Sequence, residues 1–150
     1  MTRVTLTDRA NAEIGAARRR ASPEVACGLL LGWIEDDACW VDRALVCRNA
    51  AADRSAGFAI EPGVLLNVRR SLEGRDLSIV GFFYAAAEGS GEPTATDRES
   101  LGHWPGMAWL IAAGTEGGTR VWWLDHGTRE VRELLVHGAA PRLALAGCPE

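Results

Sequence analysis

Lysine is absent from this chain of 150 residues, and all sixteen of its basic side chains are arginines. GC-rich coding is the plain source of such a bias. The functional alternative is that a chain without lysine offers no side-chain amine to a conjugating system. A basic excess is missing too. The net charge is −4 and the one local cationic run is Arg18, Arg19 and Arg20, a solvated helix end, so the electrostatic footprint of a nucleic-acid binder is lacking. Histidine is scarce and scattered, at 103, 126 and 137. The four cysteines, at 27, 39, 47 and 148, form no CxxC and no Cys/His spacing of a zinc knuckle, which argues against a structural metal site. No apolar run approaches the roughly eighteen residues that a membrane span requires, and Met1 to Leu6 carries no apolar leader core. These gaps together predict a cytoplasmic protein with free thiols, no membrane role and no nucleic-acid partner. Cys27 and Cys47 are expected to pack as small hydrophobes, and Cys27, in an apolar strand without a nearby His in sequence, is not expected to act as a nucleophile.

What is present reads as one globular domain. The composition is 47% hydrophobic and 24% charged, and a chain of this length can bury about 70% of the surface its unfolded form exposes. A single domain is expected over 1–150, with a core from about 4 to 137 and a loose tail over 138–150. Thr5 to Arg20 reads as a first helix, capped by Thr7, with Ala10, Ile14 and Ala17 on one face. Ser22-Pro23 ends it. Cys27 to Ile34 is a strongly apolar strand, turned at Asp36-Asp37 into an antiparallel partner over Cys39 to Arg48. Phe58 to Ile60 is a short strand, and Glu61-Pro62 starts a second helix through Leu72, closed by Gly74. Strands follow over Ala108 to Ala113, Thr119 to Leu124 and Val131 to Val136. The sum is an α/β (α+β) domain, a mixed central sheet flanked by helices.

The stretch from Ile79 to Glu99 is the part around which the others are arranged. Ile79 to Tyr84 reads as a buried strand, Ala85 to Pro93 as a small, Gly-rich loop, and Thr96 to Glu99 as a helix start with a capping box. A strand that passes through a flexible loop into a helix N-terminus holds its ends rigidly while the loop meets a ligand. Yet this loop has neither His nor Cys, and its acids are Glu88, Glu92 and Asp97. Six tryptophans are a heavy load. Trp122 and Trp123 are adjacent, so in a strand one ring points outward, either covered by a helix or anchoring an interface.

Several segments, in order, resemble the JAMM/MPN family, in particular its short prokaryotic JAB-type members. They are Pro23-Glu-Val-Ala-Cys-Gly-Leu-Leu-Leu-Gly32, Phe58-Ala-Ile-Glu-Pro62, Val80-Gly-Phe-Phe83, Glu92-Pro-Thr-Ala-Thr-Asp97, Trp104-Pro-Gly106 and Val121-Trp-Trp-Leu124. The resemblance covers nearly the whole chain and implies an MPN/JAB-like fold. It also implies a zinc ion held by an HxH after the VGFY-like strand and by an Asp eleven residues further on. A Glu two residues before the CGLL cysteine would be the general base, and a Ser three before the Asp would help hold the oxyanion. Catalytic members of the family cleave isopeptide or peptide bonds after ubiquitin-like proteins and sulfur carriers.

Carried across position by position, the first His falls on Tyr84, the second on Ala86, the Ser on Thr94, the Asp on Asp97 and the general base on Val25. Spacing is kept and chemistry is not. A lone carboxylate does not hold a catalytic zinc, and without the metal no bound water reaches a low pKa. The resemblance with these substitutions implies a pseudoenzyme, without zinc or another cofactor. It would be a binding, regulatory or scaffold domain for a ubiquitin-like or sulfur-carrier protein, for an active homologous subunit, or for a second copy of itself. Tyr84, Glu88, Thr94, Asp97 and Trp104 are the candidate contacts. Tyr84 either hydrogen-bonds Asp97 or Thr94 and plugs the metal's place, or extends the apolar strand. The alternative is a zinc-dependent isopeptidase with an atypical site, in which His103 approaches Asp97 from beyond the short helix. Otherwise His103 is a surface residue beside a turn. Glu24 lies one residue off the base position, which in an extended segment turns it to the opposite face.

Overall fold

The computed structural model of the chain describes residues 1–55, 57–86, 89, 91–113 and 118–138. Its elements run β1 (Arg3–Leu6), α1 (Asp8–Ala21), β2 (Ala26–Glu35), β3 (Ala38–Cys47), α2 (Pro62–Ser71), β4 (Ser78–Ala86), α3 (Ala95–Leu101), β5 (Ala108–Ala113), β6 (Gly118–Leu124) and β7 (Val131–His137). The strands close into a seven-stranded barrel in the order β1-β3-β2-β4-β5-β6-β7, and β7 pairs with β1.

This closure overturns the expected α/β (α+β) architecture, an MPN/JAB-like mixed central sheet flanked by helices. The cause is local. Arg3–Leu6 does not belong to the first helix or its lead-in but forms β1, with Val4 and Leu6 buried at alternate positions. Because β1 runs parallel to both β3 (Val4 opposite Cys39) and β7 (Val4 opposite Val136), it joins the two ends of the sheet. Helix α1 starts only after Thr7, whose hydroxyl accepts the Ala10 N–H at 3.0 Å. Its Ala10, Ile14 and Ala17 pack into one apolar cluster with Leu30, Val41, Phe83 and Leu110. Glu13 fastens the helix to β3, accepting from the Arg43 guanidinium at 2.9 Å and from the Ala44 N–H at 2.9 Å.

A second apolar cluster collects Leu29, Leu31, Phe82, Trp109, Ile111 and Trp122, covered by Phe58, Ile60 and Leu65. Strand β2 lies between β3 and β4, and its Gly28 is required by close approach: a Cβ there would collide with the Leu45 carbonyl and the Phe83 ring. Three smaller expectations also change. Phe58 to Ile60 is not a strand but loop. Strand β4 runs on to Ala86, so Ala85 and Ala86 are strand residues, not loop. Trp122 and Trp123 are both buried, at 8% and 7% exposure, because the outward ring of Trp122 is roofed by loop backbone: its indole N–H donates to the Gly91 carbonyl at 2.9 Å. Neither ring is therefore an exposed interface anchor.

Candidate functional site

The end of β4 delivers two side chains to one place. Tyr84 and Ala86 are two residues apart on the strand and so share a face. On the neighbouring chain segment Val25 precedes β2, where Ala26 pairs with Ala85. Helix α3 supplies Asp97. These residues converge: Val25, Tyr84, Ala86, Thr94 and Asp97 all line one cavity of about 330 Å³.

Asp97 is held by two groups on one oxygen. The Tyr84 hydroxyl donates to its Oδ2 at 2.8 Å, and the Thr94 N–H donates to the same atom at 2.9 Å. In return the Asp97 N–H donates to Thr94 Oγ1 at 3.1 Å. Thr94 and Asp97 thus form a reciprocal cap on α3, two residues upstream of the Thr96/Glu99 box expected from the sequence. The T-x-x-D pattern at 94–97 carries that signal. Burial first, and then the hydrogen bond and charge of Asp97, push the Tyr84 phenol well above its ordinary pKa. Its proton stays on the hydroxyl oxygen and points at the carboxylate.

The walls are tied down by residues whose role the sequence did not announce. Asn49, just past β3, donates from Nδ2 to the Val25 carbonyl (3.0 Å) and the Gly57 carbonyl (2.9 Å). Its Oδ1 accepts from the Ala51 and Ala59 N–H groups, at 3.0 and 3.2 Å. One amide therefore fastens the Phe58 segment beside Val25. A polar side chain directly after an apolar strand is the signal that could have found it. On the opposite wall Arg120 pairs with Glu133 at 2.7 Å, lies 5.0 Å over the Trp122 ring and reaches Glu92 at 3.7 Å, anchoring the loop before α3. Gly91, at φ +84, leaves no room there for a side chain, since a Cβ would press on the Arg120 methylenes.

The zinc implied by the resemblance does not fit this donor set. Val25 and Ala86 carry no donor atom, the Tyr84 phenol keeps its proton, and Thr94 Oγ1 is engaged by the Asp97 amide, which leaves one carboxylate where three ligands are wanted. His103 is exposed on the turn after α3 and does not line this cavity. Glu24 faces a different cavity and pairs with Arg54 at 3.3 Å. Among the described residues no group of three or more His, Cys, Asp or Glu side chains converges. Cys27 is fully buried and its thiol is pushed up to about 12 by burial and by Cys47, so it packs and does not attack. Glu88 lies outside the described residues, as do Cys148 and the tail from 139 onward. Trp104 is half-buried, its ring edge-on to Phe82 at 5.4 Å, on the wall of an adjoining cavity.

The chain is 32% identical over 91 residues to a protein named desampylase from Haloferax volcanii. That match takes in 61% of this chain and spans 63% of the relative's own length. No family model matches. Among solved structures, a solution structure of a Desulfitobacterium hafniense protein superposes with a TM-score of 0.77 at 25% identity, covering 89% of this chain and 90% of that one. A Salinibacter ruber protein superposes with a TM-score of 0.62 at 21% identity, covering 92% and 93%, and shows the fold alone. No helix among the described residues is long and apolar enough to cross a membrane.

Proposed function

We propose that this chain is a JAMM/MPN-related protein whose metal chemistry has been replaced, and that it works by binding a protein rather than by hydrolysis. The observation that carries the reading is the Tyr84–Asp97 hydrogen bond of 2.8 Å in the cavity shared with Val25, Ala86 and Thr94. It gives the carboxylate a proton donor from a neutral side chain where a metalloenzyme would give it a cation. The likeness to a desampylase supports the family, and the substitutions at 25, 84 and 86 support the loss of catalysis.

The partner that this reading favours is the tail of a ubiquitin-like or sulfur-carrier protein, or an active homologous subunit; a second copy of the chain is the remaining candidate. The setting is the cytoplasm, in keeping with the free thiols of Cys27, Cys39 and Cys47. Metal analysis of the purified protein tests the core of the proposal. Substoichiometric zinc and iron, together with no cleavage of ubiquitin-like isopeptide substrates, are expected. Stoichiometric metal that is lost on Asp97→Ala would overturn it.

A further inference from the structure

A second, larger cavity of about 590 Å³ adjoins the first and shares Gly57, Phe58, Thr94 and Asp97 with it. Its wall is aromatic in an ordered way. Trp104, Phe82, Trp109, Phe58 and Tyr84 form a chain in which successive ring centroids lie 5.2 to 5.6 Å apart with planes tilted by 37 to 60°. All but Tyr84 line the cavity. The last ring of the chain hydrogen-bonds Asp97, and here the charge matters. Both hydrogen bonds to Asp97 fall on Oδ2, so Oδ1 has no protein partner among the described residues.

Aromatic side chains lining a cavity beside a carboxylate with a spare oxygen select one ligand chemistry. An anion is repelled by Asp97 and by the net charge of −4. A purely apolar ligand would strip water from the carboxylate and return nothing to it. A cation satisfies Asp97 and is attracted by the rings. Between the biological cations, a compact ammonium is strongly hydrated and has no face, whereas a guanidinium is planar, stacks on aromatic rings and has further N–H groups for the Thr96 hydroxyl at the rim. We propose that this cavity is a binding site for the guanidinium of an arginine side chain on a partner peptide. The site shares Asp97 with the smaller cavity and rests on the reading of this chain as a protein binder, but the readouts differ: metal content tests that reading, and the arginine–citrulline comparison with Trp104→Leu tests this one.

The test is titration of the intact chain with N-acetyl-arginine amide, followed by tryptophan fluorescence and by the indole N–H resonances. N-acetyl-citrulline amide, of the same shape without the charge, is the comparator. Saturable binding of the arginine probe is expected, weakened roughly tenfold for citrulline and by Asp97→Asn, and to a similar degree by Trp104→Leu. Because Asp97→Asn also touches the α3 cap, Trp104→Leu provides an independent variant, with circular dichroism confirming that both fold. Equal affinity for citrulline or for N-acetyl-lysine amide, no saturation by the arginine probe, or undiminished affinity in folded Trp104→Leu would each overturn the proposal.

Discussion

If Tyr84 and Ala86 stand where two histidine ligands would stand, putting the histidines in should create a zinc site. The double substitution Tyr84→His/Ala86→His places two imidazoles on one face of β4 in the cavity that also holds Asp97, with about 330 Å³ to receive them. Three protein ligands with an open fourth position are what a tetrahedral zinc takes. A lone carboxylate grips a divalent ion at millimolar level, about 4 kcal/mol, whereas an apparent Kd of 1 µM corresponds to about 8 kcal/mol, so a gain of about 4 kcal/mol is expected. The substitution has a cost. It removes a hydrogen bond to a charged group, worth about 1.5–3 kcal/mol, and the tilted Phe58–Tyr84 contact, worth about 0.5–1.5 kcal/mol. The metal-free variant therefore melts below the parent. At free zinc a hundredfold above Kd, binding returns about 2.7 kcal/mol, a rise in Tm of roughly 5–11 °C for a chain of this size. Scanning calorimetry with and without zinc, and competition against a chromophoric chelator, read both numbers. Hydrolysis is not expected to return, since Val25 still supplies no base. A folded double variant with no more zinc affinity than the parent would refute the assignment of these positions.

Other substitutions probe the frame. Asn49→Ala removes four hydrogen bonds, three of them to Val25, Gly57 and Ala59, and should cost about 2–4 kcal/mol in urea unfolding; an unchanged midpoint would dismiss Asn49 as the organiser of that wall. Glu13 is raised by burial but more than offset by the Arg43 hydrogen bond and charge and by the Ala44 N–H, so its pKa lies below the ordinary value. Its stabilisation is thus present above about pH 4.5 and lost as pH falls through the lowered value. Glu13→Gln should cost about 1.5–3 kcal/mol at pH 7, a gap that closes in acid; a gap of constant size across that range would contradict the argument. Trp122→Phe deletes the bond to the Gly91 carbonyl and should cost about 1 kcal/mol while loosening the loop before α3, detectable as faster amide exchange there. Trp109→Phe is expected to be mild by comparison, because the Trp109 indole N–H is buried without an acceptor among the described residues and its loss strands no partner.

The elements that build the site were legible because each is signalled locally. The apolar runs of β2 and β4, the Pro62 start of α2 and the breaks at Ser22-Pro23 and Gly74 act over a few residues, and the motif order fixes which position faces which. The closure of the sheet was not legible. It depends on four residues whose alternation is too short to register, beside a helix cap that claims Thr5 and Leu6, and on the pairing of Arg3 with Leu135 across nearly the whole chain. Long-range register of that kind leaves no trace in a local window. The fate of the second tryptophan ring was hidden for the same reason, since Gly91, which roofs Trp122, is thirty-one residues away.

Asp97 is where the two kinds of information meet, and the structure changes what its presence means. Read from sequence, a lone aspartate at a ligand position is the remnant of a metal site. In the folded chain the same carboxylate completes the cap of α3 through the Thr94 N–H and accepts a hydrogen bond from the half-buried Tyr84 hydroxyl, so it has structural work without any metal. Both donors use Oδ2, which leaves Oδ1 without a protein partner among the described residues, and Asp97 lines both cavities. An isosteric Asp97→Asn keeps an acceptor at the Oδ2 position and removes only the charge, while Asp97→Ala removes both. If the residue is structural, Asn should retain most of the stability that Ala loses, about 1–3 kcal/mol by chemical denaturation. If stability falls equally in the two variants, the negative charge itself is what the site requires, and the cap and the phenol are not sufficient reasons for an aspartate at this position.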